Sequence, residues 1–433
     1  MGMLLFTSVL ALVIWALAFR NELQRRRPQW HWYLIGYPRT ALRVVFTWRR
    51  VAYLNGLTVS RRPNQRVLGD LAVKGEPLRT QTPRISFPRA IPNGLEMRVR
   101  LHAGQTPAPF LASADSFAHA WRVHSVRVVS PERGVVLITA TVRDPLEHPE
   151  PPGTSESAAL LSATVGTLET GRAWAMDFRR VPHWLIVGAT QSGKSTLLAR
   201  LVTELAPQPV ALVGIDCKGG MELGLLEMRL SALATCRSEA VTVLAALVGE
   251  MQDRMRTCRS AGARSVWELP EKARPVPVVV IVDELAELYL TNGSKEQRAE
   301  AEECTTYLLR IAQLGAALGL HLVVAGQRVG SDLGPGVTAL RAQLSGRICH
   351  RVNDPGTAEM ALGDLNKDAV VVAQSIGEAE RGVAVTAGDM GGWARGRSHL
   401  TTPAEARAAA AEFARMTPRP RFLAHTPGGG TVV

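Results

Sequence analysis

Residues Met1 to Phe19 carry no charge and are dominated by Leu, Val, Ala, Ile and Phe. At 1.5 Å per residue this stretch makes a helix of about 28 Å, close to the apolar thickness of a bilayer, so the pattern predicts one membrane span. Positive charge follows the stretch instead of preceding it, which argues against a secretory signal peptide and puts the C-terminal side in the cytoplasm. Between residues 84 and 145 short apolar runs take over. Leu95 to Leu101 and Val135 to Val142 predict strands and Ala112 to Trp121 a helix, together a small α+β domain. Pro145 to Ser157, rich in Pro, Glu and Ser, reads as a linker. Further on, strands are predicted at Val181 to Val187, Val210 to Ile215, Pro277 to Val282 and Leu320 to Ala325, with helical stretches between them. That alternation implies a parallel sheet covered by helices. An Ala-rich helix over Pro403 to Met416 and a Pro/Gly tail follow.

Composition adds bounds. A chain of 433 residues, 46% hydrophobic and 20% charged, has ample core for two or three domains. Its five cysteines are widely spaced with no C-x-x-C pair, which points away from a disulfide framework and a zinc site and suits a reducing cytosol. The net charge of +12 invites a nucleic-acid reading, but its location matters. Eleven arginines between Arg20 and Arg66 face a single acid, Glu22, so this segment holds +10 of the charge and only +2 remains for the rest. Interleaved with Trp30, Trp32, Tyr33, Tyr37, Phe46, Trp48 and Tyr53, the arginines suit a headgroup layer, with DNA contact as the other reading.

The candidate chemistry lies where the apolar runs end. Val181 to Val187 leads into Gly188-Ala189-Thr190-Gln191-Ser192-Gly193-Lys194-Ser195-Thr196, a complete G-x-x-x-x-G-K-[ST] phosphate loop. Glycine is required there because backbone N–H groups must turn inward around a β-phosphate, and a Cβ at Gly188 or Gly193 would block the approach. Lys194 is placed to reach the β- and γ-phosphates of ATP, and Ser195 to ligate Mg2+. The run Pro277 to Val282 ends in Asp283-Glu284, which reads as a Walker B strand. Asp283 would hold the Mg2+ shell and Glu284 would polarise the attacking water. The run Leu320 to Ala325 ends in Gly326-Gln327-Arg328, with Gln327 positioned to sense the γ-phosphate.

Taken in order, Val165 to Gly171, Val181 to Ser195, Val279 to Leu288, Gly319 to Arg328 and the helix with Glu250 and Arg254 resemble the FtsK/SpoIIIE DNA translocases. The resemblance runs through residues 85 to 390 and includes Pro182-His183 and Gln327-Arg328. It implies a RecA-like P-loop motor preceded by a small α+β domain and a transmembrane helix. Functionally it implies a homo-oligomer, a hexameric ring, that encloses double-stranded DNA and pumps it by ATP hydrolysis. Arg347, in Ser345 to His350, resembles the family's arginine on the strand after Gln327 and is favoured over Arg351 and Arg328 as the guanidinium supplied to a neighbouring subunit's site. The segments are then 1–19 (span), 20–66 (basic aromatic juxtamembrane), 67–150 (small domain), 151–176 (linker and motor entry), 177–395 (motor) and 396–433 (tail).

Three departures qualify the likeness. Cys217 and Val329 stand where the family usually has proline, and the tail looks too short for the family's winged-helix sequence reader. One span and a short basic collar are most similar to the conjugative transfer proteins of actinomycete plasmids and integrated elements, which places the protein in the cell membrane, single-pass, with a cytoplasmic motor. A chromosome-segregation translocase, an FtsK-like ATPase of protein secretion and a tethered regulatory protein are the rival readings. Secretion ATPases usually carry tandem motors, and one phosphate loop is present here.

Overall fold

The computed structural model describes residues 22, 26–61, 79–91, 93–147, 159–363, 367–388 and 392–427. Residues 1–19, the expected membrane span, lie outside them. Among the described residues no helix is long and apolar enough to cross a membrane. The chain divides into two compact units, Met1–Pro145 and Leu146–Val433.

The first unit is a layer of helices on an antiparallel sheet. The helix Tyr37–Leu54 buries Thr40, Ala41, Val44, Trp48, Val51 and Ala52, a stripe repeating every three to four residues as one helical face must. That stripe packs with Leu95, Met97 and Val99 of the strand Gly94–Arg100 and with Phe117 and Trp121 of the helix Ala114–Trp121. The sheet runs Arg84–Ile85, Gly94–Arg100, Val135–Thr141, Ser125–Glu132. The interfacial reading of the aromatic-basic segment therefore needs correcting at two of its rings. Trp48 is buried and donates to the Pro83 carbonyl at 2.8 Å, and Trp32 is buried and donates to the Ile91 carbonyl at 2.9 Å. A tryptophan gains more from burial with its N–H satisfied than from a wet interface. Trp30, Tyr33, Phe46 and Tyr53 do stay exposed.

The second unit is built on a ten-stranded sheet. Its first six strands in spatial order are Ala232–Ala234, Ala211–Ile215, Val278–Val282, Leu320–Gly326, His183–Val187 and Gly346–His350, and each adjacent pair is parallel. Every residue of these strands is buried, as helices on both faces demand. The sheet is mixed, however, not parallel throughout. Val383–Ala387, Trp393–Ser398, Ser162–Leu168 and Ala173–Asp177 extend it in antiparallel fashion. Two segments read as motor entry and tail thus supply part of this unit. The tail helix Pro403–Glu412 carries a full capping box at Thr402 and Glu405, and Thr417 beyond it donates to the Met228 carbonyl at 3.0 Å.

Arg254 shows how the long helix Arg237–Ser260 is fixed. Its buried guanidinium meets Glu250 at 2.7 Å and the carbonyls of Leu318 and Val276, each at 2.8 Å. Beside it, His183 and His321 are buried between the strands His183–Val187 and Leu320–Gly326. His183 Nδ1 accepts the Leu322 N–H at 3.1 Å, so the ring is neutral there. Burial pushes the pKa of His183 down to about 4, and burial reinforced by His183 pushes that of His321 down to about 3.

A pH prediction follows from the sign of these shifts. Between about pH 4 and 6.5 the unfolded chain binds protons that the folded chain refuses, so stability is full above 6.5 and falls with acidification, by about 1.4 kcal/mol per pH unit for each histidine. Urea unfolding at pH 7.0, 6.0 and 5.0 should show that decline, and a shallower one in His321→Leu. Level stability across the range would contradict neutral burial.

Candidate nucleotide site

The phosphate loop leaves the strand His183–Val187 and enters the helix Lys194–Leu205. Both of its glycines are dictated by close approach. A Cβ on Gly188 would stand 2.5 Å from Ser192 Oγ and 2.7 Å from His350 Cβ, and one on Gly193, at φ 119°, would stand 2.7 Å from Gly382 Cα. Gln191 is left-handed at φ 61°, an energetic cost held in place by its surroundings. Three backbone hydrogen bonds do that work: Ala189 N–H to Arg351, Ser192 N–H to Ala189, and Gly382 N–H to Ser192. His350 lies fully buried behind the loop, its Nδ1 3.1 Å from the Val383 carbonyl. Burial pushes its pKa down to about 4, so no positive charge stands there.

Around this loop the parallel sheet assembles the other expected residues. Lys194 is 9% exposed, and its Nζ donates to the Gly188 carbonyl at 2.9 Å and lies 3.9 Å from Glu284 Oε2. Burial lowers its pKa, opposed by Glu284 and Asp283. Asp283 and Glu284, 4% and 7% exposed, end the strand Val278–Val282. Glu284 Oε1 accepts the Gln327 N–H at 3.0 Å, and Gln327 Oε1 accepts from the Thr190 hydroxyl at 3.3 Å, so the acid, the sensor and the loop are linked in series. Burial pushes Asp283 up to about 6 although Lys218 pulls the other way. Ser195 is exposed at the helix start and lines, with Thr196 and Asp283, a cleft of about 910 Å³.

Lys218 is the residue that motif reasoning passed over. Its Nζ lies 3.6 Å from Asp283 Oδ2 and 3.6 Å from Glu284 Oε2. Burial alone would lower its pKa; Asp283 and Glu284 more than offset that, so it is raised. Asp216 builds the turn that carries it, accepting the backbone N–H groups of Lys218, Glu222 and Leu223 at 3.2, 2.8 and 3.0 Å. No local signal in the sequence marks it: the pairing of Ile215 with Val282 is what brings a lysine just past Ile215 out beside Asp283 and Glu284. Arg381, which donates to Gln191 Oε1 at 3.2 Å, and Arg397 also line the cleft, and no motif announced either.

Arg347 is not brought to this cleft. It sits in the sheet near the start of Gly346–His350, while the loop lies beyond the other end. It is 5% exposed and donates to the Arg341 carbonyl at 2.6 Å.

A sequence profile of the actinomycete conjugal transfer protein N-terminal domain matches residues 20–142, and one of the FtsK/SpoIIIE family matches residues 150–331. Transfer protein TraSA of Streptomyces ambofaciens is 42% identical over 376 residues, covering 84% of this chain and 90% of that protein. The chain belongs to the actinomycete conjugal transfer proteins of the FtsK/SpoIIIE family. As an FtsK/SpoIIIE protein it is a P-loop ATPase that binds ATP. A sporulation regulatory protein of Streptomyces azureus is 46% identical over 60% of this chain and 88% of its own length. The DNA translocase FtsK of Campylobacter jejuni is 30% identical over 49% of this chain, which spans 22% of that longer protein. Among solved structures, the pCW3 conjugation coupling protein TcpA in its monomer form with ATPgS shares the fold at a TM-score of 0.58 and 20% identity, over 78% of this chain and 94% of that one. The cytoplasmic domain of the Thermomonospora curvata type VII secretion ATPase EccC shares it at 0.50 and 23% identity, over 63% and 33%.

Lys218→Ala leaves two buried carboxylates with one ammonium fewer, and ATP turnover in this family member should fall tenfold or more, a loss of about 1.4 kcal/mol in barrier terms. Steady-state hydrolysis measures it. Turnover equal to wild type would make Lys218 an ordinary surface partner.

Proposed function

We propose that this chain is an ATP-driven translocase that moves double-stranded DNA between cells during conjugation, anchored in the cell membrane by residues 1–19 with its motor in the cytoplasm. The observation that carries the reading is the cleft itself, with Lys194, Glu284 and Gln327 already joined around the phosphate loop in a chain 42% identical to transfer protein TraSA. The anchor rests on the charge-free apolar stretch and the arginines that follow it.

Mg2+ fits the residues present. Ser195 and Asp283 offer hard oxygen ligands and both line the cleft. When bound with ATP, the ion would neutralise charge on the β- and γ-phosphate oxygens. The chain's own residues do the rest. Lys194 and the loop N–H groups orient the phosphates, Glu284 holds the attacking water, and Gln327 couples Glu284, through its backbone N–H, to Thr190, through its side chain, so that the presence of a γ-phosphate reaches the acid through one residue.

The proposed assembly is a homo-hexameric ring in which a neighbouring guanidinium completes each site. Arg347 is assigned that part on its likeness to the family's arginine; as buried as it is here, ring assembly would have to uncover it. Mixing Arg347→Ala with Lys194→Ala subunits decides the matter. Recovered hydrolysis supports action in trans, and normal turnover of Arg347→Ala alone removes it from the site.

For the translocase reading, duplex DNA of several hundred base pairs should stimulate ATP hydrolysis several-fold. Lys194→Ala should abolish nucleotide binding, and Glu284→Gln should bind ATP without turning it over. Indifference to duplex DNA, with stimulation by a secreted polypeptide instead, would favour the secretion reading.

A further inference from the structure

The outer face of the sheet in the first unit carries a surplus of positive charge. Along Gly94–Arg100 the residues Leu95, Met97 and Val99 face the core, so Glu96, Arg98 and Arg100 face outward. The strand register places Arg84 directly opposite Arg100, Arg89 opposite Glu96, and Thr139 between Glu96 and Arg127. Five arginines therefore share one face with two glutamates, Glu96 and Glu132. Arg98 lies 3.9 Å from Glu132, a long and solvent-exposed ion pair. Arg84, Arg89, Arg98 and Arg100 are exposed and Arg127 is half-buried.

Two like charges directly opposite on neighbouring strands destabilise a sheet, and Arg84 against Arg100 is such a pair. A feature that costs stability and contributes nothing to the core asks for a ligand. We propose that this face binds the phosphate backbone of duplex DNA. The proposal rests on the translocase reading above, and it assigns to the first unit a grip on the substrate separate from the ATP cleft.

The chemistry favours phosphate on a nucleic acid over phosphate on a lipid surface. Each guanidinium offers a planar fork that meets two phosphate oxygens at once. A headgroup layer would call for aromatic rings among the arginines. Within the sheet the positions between them are Ser125, Val129, Val135, Leu137, Thr139 and Thr141, all partly buried and none a ring; the one exposed ring beside them, Phe87, lies in the loop between Arg84–Ile85 and Arg89–Ile91. Contacts of this kind fix position on the duplex without reading sequence, which suits a protein that must move along it.

The test is duplex binding by the full-length chain as a function of salt, comparing wild type with a variant carrying Arg84→Gln, Arg89→Gln, Arg98→Gln and Arg100→Gln. Each lost phosphate contact lowers the log–log salt slope by about 0.9, so the slope should become shallower by up to about 3.6 and affinity in low salt should drop tenfold or more. ATP hydrolysis without DNA should stay at the wild-type level, and the thermal midpoint should hold or rise. If the fourfold variant fails to fold, Arg98→Gln with Arg100→Gln should still remove up to about 1.8 from the slope. Lysine at the same four positions should keep most of it. An unchanged slope in a folded variant overturns the proposal. So does loss of binding to vesicles of anionic phospholipid with DNA binding intact, which would reassign the face to lipid. Wild-type protein that neither binds duplex nor is stimulated by it overturns the translocase reading as well; normal wild-type stimulation with an indifferent variant overturns this surface alone.

Discussion

Two carboxylates, Asp283 and Glu284, lie almost fully buried, both within 4 Å of the Lys218 ammonium and Glu284 within 4 Å of that of Lys194, and the arrangement of the second unit is what keeps them there. Buried charges of this kind gain attraction and lose hydration in similar measure, so the pairs contribute little net stability while the removal of one partner is costly. Their value is positional. The two acids leave the carboxyl end of Val278–Val282, Lys218 follows that of Ala211–Ile215 and Lys194 lies in the loop after His183–Val187, and the spatial order Ala211–Ile215, Val278–Val282, Leu320–Gly326, His183–Val187 sets those ends close together. Gln327 emerges from the strand between the acids and the phosphate loop, which is why it can touch both Glu284 and Thr190. Ligands in open parallel sheets gather at such carboxyl ends for the same reason.

Much of this was legible in the sequence. The phosphate loop and the acidic strand end are short patterns whose residue types are forced by geometry, and the close approaches at Gly188 and Gly193 show the constraint acting. The antiparallel half of the sheet was not legible. Ser162–Leu168, sequence SATVGTL, mixes threonine, serine and glycine with few large apolar residues, so its pattern resembles a loop even though Gly166 is packed against the Arg397 backbone. Lys218 was hidden for another reason. Nothing local marks it, and its role appears only once two strands distant in sequence are known to be neighbours.

Trp48 offers the opposite lesson. Its helix carries a clean apolar stripe through Thr40, Val44, Trp48 and Val51, yet the arginines on the other face dominated the reading and suggested a membrane surface. Composition averages over the faces of a helix, whereas packing separates them. Once the period is respected, the same segment is a core helix with a basic exterior. The membrane proposal rests on the apolar stretch before it, with the following arginines setting only its orientation.

The central claim is that hydrolysis at this cleft moves duplex DNA. Displacement of a third strand bound to a duplex measures movement directly. The account predicts that the full-length protein displaces it with ATP and Mg2+, and that Glu284→Gln leaves it bound. A wild-type protein that hydrolyses ATP in the presence of the duplex yet leaves the third strand in place would contradict it.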